Sequence, residues 1–214
     1  MINECVQFVV EAMKKQSGTV ISVDVQPEYF TAHGFDKNFL SKYVKYINKQ
    51  NSVVFLYNGA DTLGMVSESD YQMWLFDNGV SEDVINSSEF YDKGYAFFRY
   101  CIDSGIYEDD VVDLVKFMAK NNINDSRDIG EHWDEFIKEH GHHHLRELLE
   151  FSEDCIHIPD LMDYLRPFNN IILLGGARGQ CLKEVEIALK SLGKQHSFFE
   201  SLIYENETIK KIVD

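Results

Sequence analysis

A chain of 214 residues, 44% hydrophobic and 13% aromatic, carries enough apolar side chains for a substantial core and does not read as a disordered chain. Its 20 basic and 36 acidic residues leave a formal net charge of -16, which excludes a general nucleic-acid binder, because neutralising phosphates needs a basic surface. No apolar run approaches the length that spans a bilayer, and the segment from Met1 to Gln7 lacks the basic start of a secretory signal. A cytoplasmic protein with no membrane and no nucleic-acid partner is therefore expected. The four cysteines, Cys5, Cys101, Cys155 and Cys181, are widely spaced without CxxC pairing, as suits reduced thiols rather than a disulfide framework.

In chain order, Cys5, Phe8, Val9, Ala12 and Met13 recur at helical spacing and predict an opening amphipathic helix that Ser17-Gly18 ends. Thr19 to Val25 then reads as a buried strand broken by Pro27. Leu40, Tyr43, Val44 and Ile47 predict a second helix, and Ser52 to Tyr57 a second buried strand closed by Asn58-Gly59. Alternating strand and helix predicts an α/β fold, three layers (α/β/α) around a mainly parallel sheet, with the strands' carboxyl ends gathered along one ligand-binding edge.

From 105 to 155 strand signals nearly vanish. Val111, Val112, Leu114, Val115 and Met118 suit one helix, Trp133, Phe136 and Ile137 another, and Leu145, Leu148 and Leu149 a third. This stretch reads as a helical insertion within a single domain spanning 1–214, serving as a lid or as an oligomer contact. Ile158-Pro159-Asp160-Leu161 restarts the α/β pattern, with Pro159 suited to a first helical turn. A strand over Ile171–Leu174, a helix over Leu182–Lys190 and a late strand within Ser197–Tyr204 complete the chain.

The most informative segment is Ile171-Ile172-Leu173-Leu174-Gly175-Gly176-Ala177-Arg178-Gly179-Gln180-Cys181, an apolar strand running into glycines and then a helix. That order sets the Cys181 sulfur near a helix N-terminus, where unpaired N–H groups and the helix dipole favour a thiolate. Cys181 is the candidate nucleophile, against the plain alternative of a space-filling cysteine. The same turn also reads as a phosphate cradle with Arg178 pairing the anion, although its glycines match neither the dinucleotide nor the P-loop order.

Asp24 ends the first strand. A carboxylate in an apolar run needs a partner, so it is either a salt-bridged structural aspartate or a base for the Cys181 thiol. Lys93, a basic residue among Phe90, Tyr91, Tyr95, Phe97 and Phe98, would stabilise both anions if held beside them; most lysines are instead solvated.

Together these segments resemble the isochorismatase-like cysteine hydrolases, the superfamily of nicotinamidases and N-carbamoylsarcosine amidases. Asp24-Val25-Gln26 before Pro27-Glu28-Tyr29-Phe30 is similar to the family's opening motif, and Gly175 to Cys181 to its cysteine loop, a similarity that Val185, Ala188 and Gly193 continue. The resemblance implies a Rossmann-like fold, Asp24 as base, Lys93 as electrostatic partner and Cys181 as nucleophile. It further implies a cis peptide at Ala177–Arg178 and an oxyanion site on the backbone N–H groups of Arg178 and Cys181. Gln26, Tyr95, Phe97, Ala177 and Arg178 complete the substrate and oxyanion set. The chain departs from the family in carrying Arg178 where a small polar residue is common. After Asn58 there is no counterpart of the nicotinamidase aspartate–histidine metal cluster.

His142-His143-His144, with His140 and His132, has no cysteine or acidic partner at zinc-site spacing and reads as a solvated helix start. The aromatic stripe Tyr91, Tyr95, Phe97, Phe98 and Tyr100 reads as core or subunit contact, with Tyr95 and Phe97 suited to stacking on a planar substrate. The expected function is hydrolysis of a small amide, carbamoyl or related C–N substrate without metal or organic cofactor, by a homo-oligomer. The alternatives are a non-catalytic small-molecule or phosphate-binding protein on this fold, and an isochorismate-type vinyl-ether hydrolase.

Overall fold

The computed structural model describes residues 18–27, 37–59, 67–94, 108–149 and 158–204. The opening helix, Tyr95, Phe97, Cys5, Cys101 and Cys155 lie outside them.

The architecture is α/β. Five strands, β1 (Val20–Val23), β2 (Val54–Tyr57), β3 (Glu89–Asp92), β4 (Ile171–Gly175) and β5 (His196–Phe198), form one sheet in the order β3-β2-β1-β4-β5. Every pairing is parallel, with Ile21 opposite both Val54 and Leu173, and Ser22 opposite both Phe55 and Leu174. All four residues of β1 and of β2 are buried, so both sheet faces are covered, as a three-layer α/β/α arrangement requires. The winding direction reverses between β1 and β4, the point where the carboxyl ends of neighbouring strands diverge and such sheets take their ligands.

The chain divides into two compact units. The first holds the whole sheet and comprises the described residues of Met1–Gly94, Phe168–Arg178 and Gln195–Asp214. In it, α1 (Lys37–Ile47) lays Tyr43 and Ile47, one turn apart, into a core with Val20, Phe55 and Leu174. The Tyr43 hydroxyl meets Ser22 Oγ at 2.7 Å, so the one polar side chain within β1 has a partner. Phe55 stacks on Phe90 (centroids 4.9 Å apart, 15° between planes) and meets Tyr71 edge-on (6.0 Å, 83°). Such pairs contribute roughly 0.5–1.5 kcal/mol each beyond burial. Burial pushes the Tyr71 hydroxyl far above its ordinary range, and the nearby charges of Tyr43 and Asp24 push the same way.

Two helices in this unit, α2 (Glu68–Asp77) and α3 (Glu82–Ser87), carry no clear periodicity in sequence. The first buries only Tyr71 and Leu75 and leaves Met73 and Phe76 exposed. Local polar contacts set its start: Ser67 Oγ accepts from the Asp70 N–H at 3.2 Å. Asn48 clamps the turn between α2 and α3, donating to Gly79 O and accepting from Ser81 N, both at 2.8 Å. The late strand is shorter than Ser197–Tyr204: β5 ends at Phe198, a 3₁₀ turn spans Glu200–Leu202, and Tyr204 forms an isolated bridge with Ala177.

Among its described residues the second unit, Tyr95–Pro167 with Gly179–Lys194, is helical. It contains α4 (Glu108–Lys120), α5 (Trp133–His140), α6 (His143–Leu149), α7 (Ile158–Leu165) and α8 (Cys181–Ser191). The three helices expected within 105–155 are present, and α4 packs against α7 and α8 beyond that range. Lys183 Nζ bridges Glu108 (2.6 Å) and Glu186 (2.8 Å), while Lys190 pairs with the same two carboxylates, joining α4 to α8. Gly141, at φ +78°, ends α5 in the left-handed conformation that glycine adopts without strain.

Candidate functional site

Asp24 immediately follows β1. Its N–H extends the sheet ladder to Leu56 O (2.8 Å), and its φ of +49° turns the chain into the left-handed region. Aspartate tolerates that region better than most residues, yet the conformation costs on the order of 1 kcal/mol and must be held by its surroundings. Tyr204 does part of the holding, its hydroxyl donating to Asp24 O at 3.3 Å.

Lys93 immediately follows β3, with its N–H on Tyr57 O at 2.9 Å. From there Nζ reaches Asp24 Oδ2 at 2.9 Å, across the end of β2. The two side chains are 1% and 0% exposed. Asp24 is thus a salt-bridged carboxylate. Beyond this ion pair, no donor among the described residues meets either carboxylate oxygen in hydrogen-bond geometry. Lys93 Nζ also donates to Gly94 O at 3.2 Å.

The loops around the pair are tied by polar contacts. Gln26 is buried, and its amide is committed to the Asn58 backbone, donating to O at 3.1 Å and accepting from N at 3.0 Å. It fastens the end of β1 to the end of β2, a positioning role. Asp92 Oδ1 accepts from Gly59 N and Gly94 N, both at 2.9 Å, and so shapes the turn that presents Lys93.

At the end of β4, Gly175 adopts φ +75° and Gly176 φ +52°. A Cβ on Gly175 would fall 2.5 Å from both Val23 O and Val25 Cγ2, so only glycine lets this loop close on β1 beside Asp24. Ala177 is buried and bridged to Tyr204. The Ala177–Arg178 peptide is trans, which corrects the cis bond that the resemblance implied. A trans amide is favoured by roughly 2.5–4 kcal/mol at a non-proline residue. The Arg178 guanidinium lies over the Phe198 ring, 4.4 Å from its centroid, and pairs with the Glu200 carboxylate. Its charge is met within the protein.

Cys181 belongs to the helical unit, where it is half-buried and opens α8 as its first residue. Gln180 precedes it at the N-cap without a side-chain capping hydrogen bond. The sulfur thus stands at the N-terminal end of α8, the positive end of the helix dipole. Of the expected site residues, the sheet-bearing unit holds Asp24 and Lys93 in contact, with Gln26, Ala177 and Arg178 in the loops after β1 and β4.

Sequence reading missed the acidic side of the histidine cluster. Asp110 and Asp113, on one face of α4, meet His140, His142 and His144. The (i, i+3) spacing of the two aspartates on a strongly periodic helix was the available signal.

Searches against protein-family models, curated proteins and solved structures return no match to this chain. Among the described residues, no helix is long and apolar enough to cross a membrane.

Proposed function

We propose that the protein is a cysteine hydrolase acting on a small amide, carbamoyl or related C–N substrate, with Cys181 as nucleophile and the Asp24–Lys93 pair managing its proton. The observation that carries this reading is the buried ion pair at the carboxyl edge of a parallel sheet, beside its switch point. Burying two charges is expensive, and replacing such a pair by apolar residues is often neutral or stabilising. A buried pair of this kind, on a residue with a left-handed backbone, fits a chemical role better than a structural one. Two further features support it: the cysteine at the head of α8 and the motif resemblance around Asp24 and Cys181.

In this mechanism the Cys181 thiol gives its proton to Asp24 as Sγ attacks the substrate carbonyl, and a C–S bond forms. The C–N bond then breaks as Asp24 passes that proton to the leaving nitrogen, releasing ammonia or an amine and a thioester. Water attacks the thioester, Asp24 takes its proton, the C–S bond breaks, and proton return to sulfur restores the thiol and frees the acid. Backbone N–H groups of the Gly175–Cys181 loop are the candidate donors to the tetrahedral oxygen. Lys93, with Nζ 2.9 Å from Oδ2, is the cation that faces the carboxylate throughout. A small uncharged or cationic substrate suits a chain of net charge -16.

The test is ammonia or amine release across a panel of primary amides and N-carbamoyl compounds. The wild-type chain is expected to turn over at least one class, and Cys181→Ser and Asp24→Asn to turn over none. A Cys181→Ser protein with undiminished turnover would move the reaction to a vinyl-ether type that needs no thiol.

A further inference from the structure

We propose that the helical unit carries a binding site for a divalent transition metal of the zinc class, formed by Asp113 on α4, His140 at the end of α5 and His142 before α6. Asp113 Oδ2 lies 3.3 Å from His142 Nε2 and 3.6 Å from His140 Nδ1. One donor atom from each of the three residues falls within 4.8 Å of the other two. A tetrahedral ion about 2.0–2.1 Å from its ligands sets neighbouring ligand atoms roughly 3.3 Å apart, and the two distances from Asp113 to the imidazole nitrogens stand close to that edge length.

The surroundings match what a metal-binding histidine needs. With Nε2 of His142 facing Asp113, its other nitrogen, Nδ1, faces Asp110 Oδ1 at 3.5 Å. A carboxylate behind a ligating imidazole fixes its tautomer and raises its basicity. Asp110 is itself held by His144 Nε2 at 2.9 Å. The His140 and His142 rings are near parallel, 15° between planes, and both pack against Phe136. Their orientations are thus set by packing before any ion arrives.

Two imidazoles and one carboxylate favour zinc-class ions over calcium or magnesium, which take all-oxygen shells. The three side chains are 20–37% exposed, so a fourth position faces water. The site ties the carboxyl end of α5 to α4. The turn His140-Gly141-His142 brings both imidazoles to one place because Gly141 takes φ +78°. Of the histidines that read as a solvated helix start, His140, His142 and His144 therefore meet Asp110 and Asp113 on another helix of the unit.

The experiment is calorimetric titration of the chelator-treated full chain with Zn2+. One saturable site per chain is expected, with affinity reduced about 100-fold or more in His140→Gln and Asp113→Asn, and about 10–100-fold in Asp110→Asn through loss of the supporting carboxylate. His132→Gln, outside the cluster, should bind as the wild type does. Far-UV circular dichroism checks that each variant is folded. X-ray absorption on the Co2+-loaded wild type, which needs no variant, should show two imidazoles among N/O ligands. Absence of a saturable site, unchanged affinity in folded His140→Gln and Asp113→Asn, or a Co2+ shell lacking two imidazoles would overturn the proposal.

Discussion

Lys93 Nζ sits 2.9 Å from Asp24 Oδ2, two chain positions that follow β3 and β1 and meet where almost no solvent reaches. Removing the lysine takes away the cation that faces the buried Asp24 carboxylate. Lys93→Met is expected to cost about 3–5 kcal/mol in urea unfolding, and Lys93→Met with Asp24→Asn distinctly less than the single change. A single-variant cost below about 1 kcal/mol would mean that the carboxylate does not depend on the lysine.

Gly175 makes a second, independent demand on the same edge of the sheet. Gly175→Ala combines a left-handed φ with a Cβ 2.5 Å from Val23 O, and no shift of a flexible side chain relieves a clash with backbone. The expected loss exceeds about 1 kcal/mol, measurable as a lower thermal midpoint. Wild-type stability in Gly175→Ala would show that β1 and β4 separate more readily than their register suggests.

The ion network between α4 and α8 makes stability depend on pH. Burial pushes the Glu108 and Glu186 carboxyls up, but hydrogen bonds and charge from Lys183 and Lys190 outweigh it and hold both below 4.5. A lowered folded-state pKa contributes stability that is present above the unfolded value and is lost as pH falls through the folded one. Lys190 is raised above 10.5, chiefly by Glu108, so its share is present below that value and lost as pH climbs through the raised one. Because these groups are partly exposed, the effect is about 1 kcal/mol or less. Glu108→Gln should lower stability at pH 7 by about 1 kcal/mol or less and converge on the wild type as pH falls below 4.5, which flattens the acid limb. An unchanged acid limb would contradict the network.

Much of the fold was legible because the central strands are continuous apolar runs. Val20–Val23, Val54–Tyr57 and Ile171–Gly175 are bounded by turn residues, as strands buried on both faces should be. β3 was not, since it lies at the sheet edge, half-exposed, with Glu89 and Asp92 at its ends. α2 escaped because its apolar residues point both inward, at Tyr71, and outward, at Met73 and Phe76. At the site, Asp24 announced itself as a charge in an apolar strand, and Lys93 as a cation among aromatics. The commitment of Gln26 to Asn58 and of Arg178 to Glu200 depends on loops brought together by the sheet, which no local pattern encodes.

Cys181 is expected to be the most electrophile-sensitive of the four cysteines at pH 7, because the head of α8 favours its thiolate. Peptide mass spectrometry after brief alkylation reads this directly. Preferential labelling of Cys5, Cys101 or Cys155 would count against an activated thiol.

A covalent route through Cys181, served by the Asp24–Lys93 pair, requires an acyl-enzyme intermediate that can be trapped. Wild-type protein mixed with a turned-over amide and quenched in acid should gain the acyl mass, mapped to the peptide carrying Cys181. The gain should be absent in Cys181→Ser and strongly reduced in Asp24→Asn. Turnover with no adduct at any quench time, or an adduct on another residue, would contradict it.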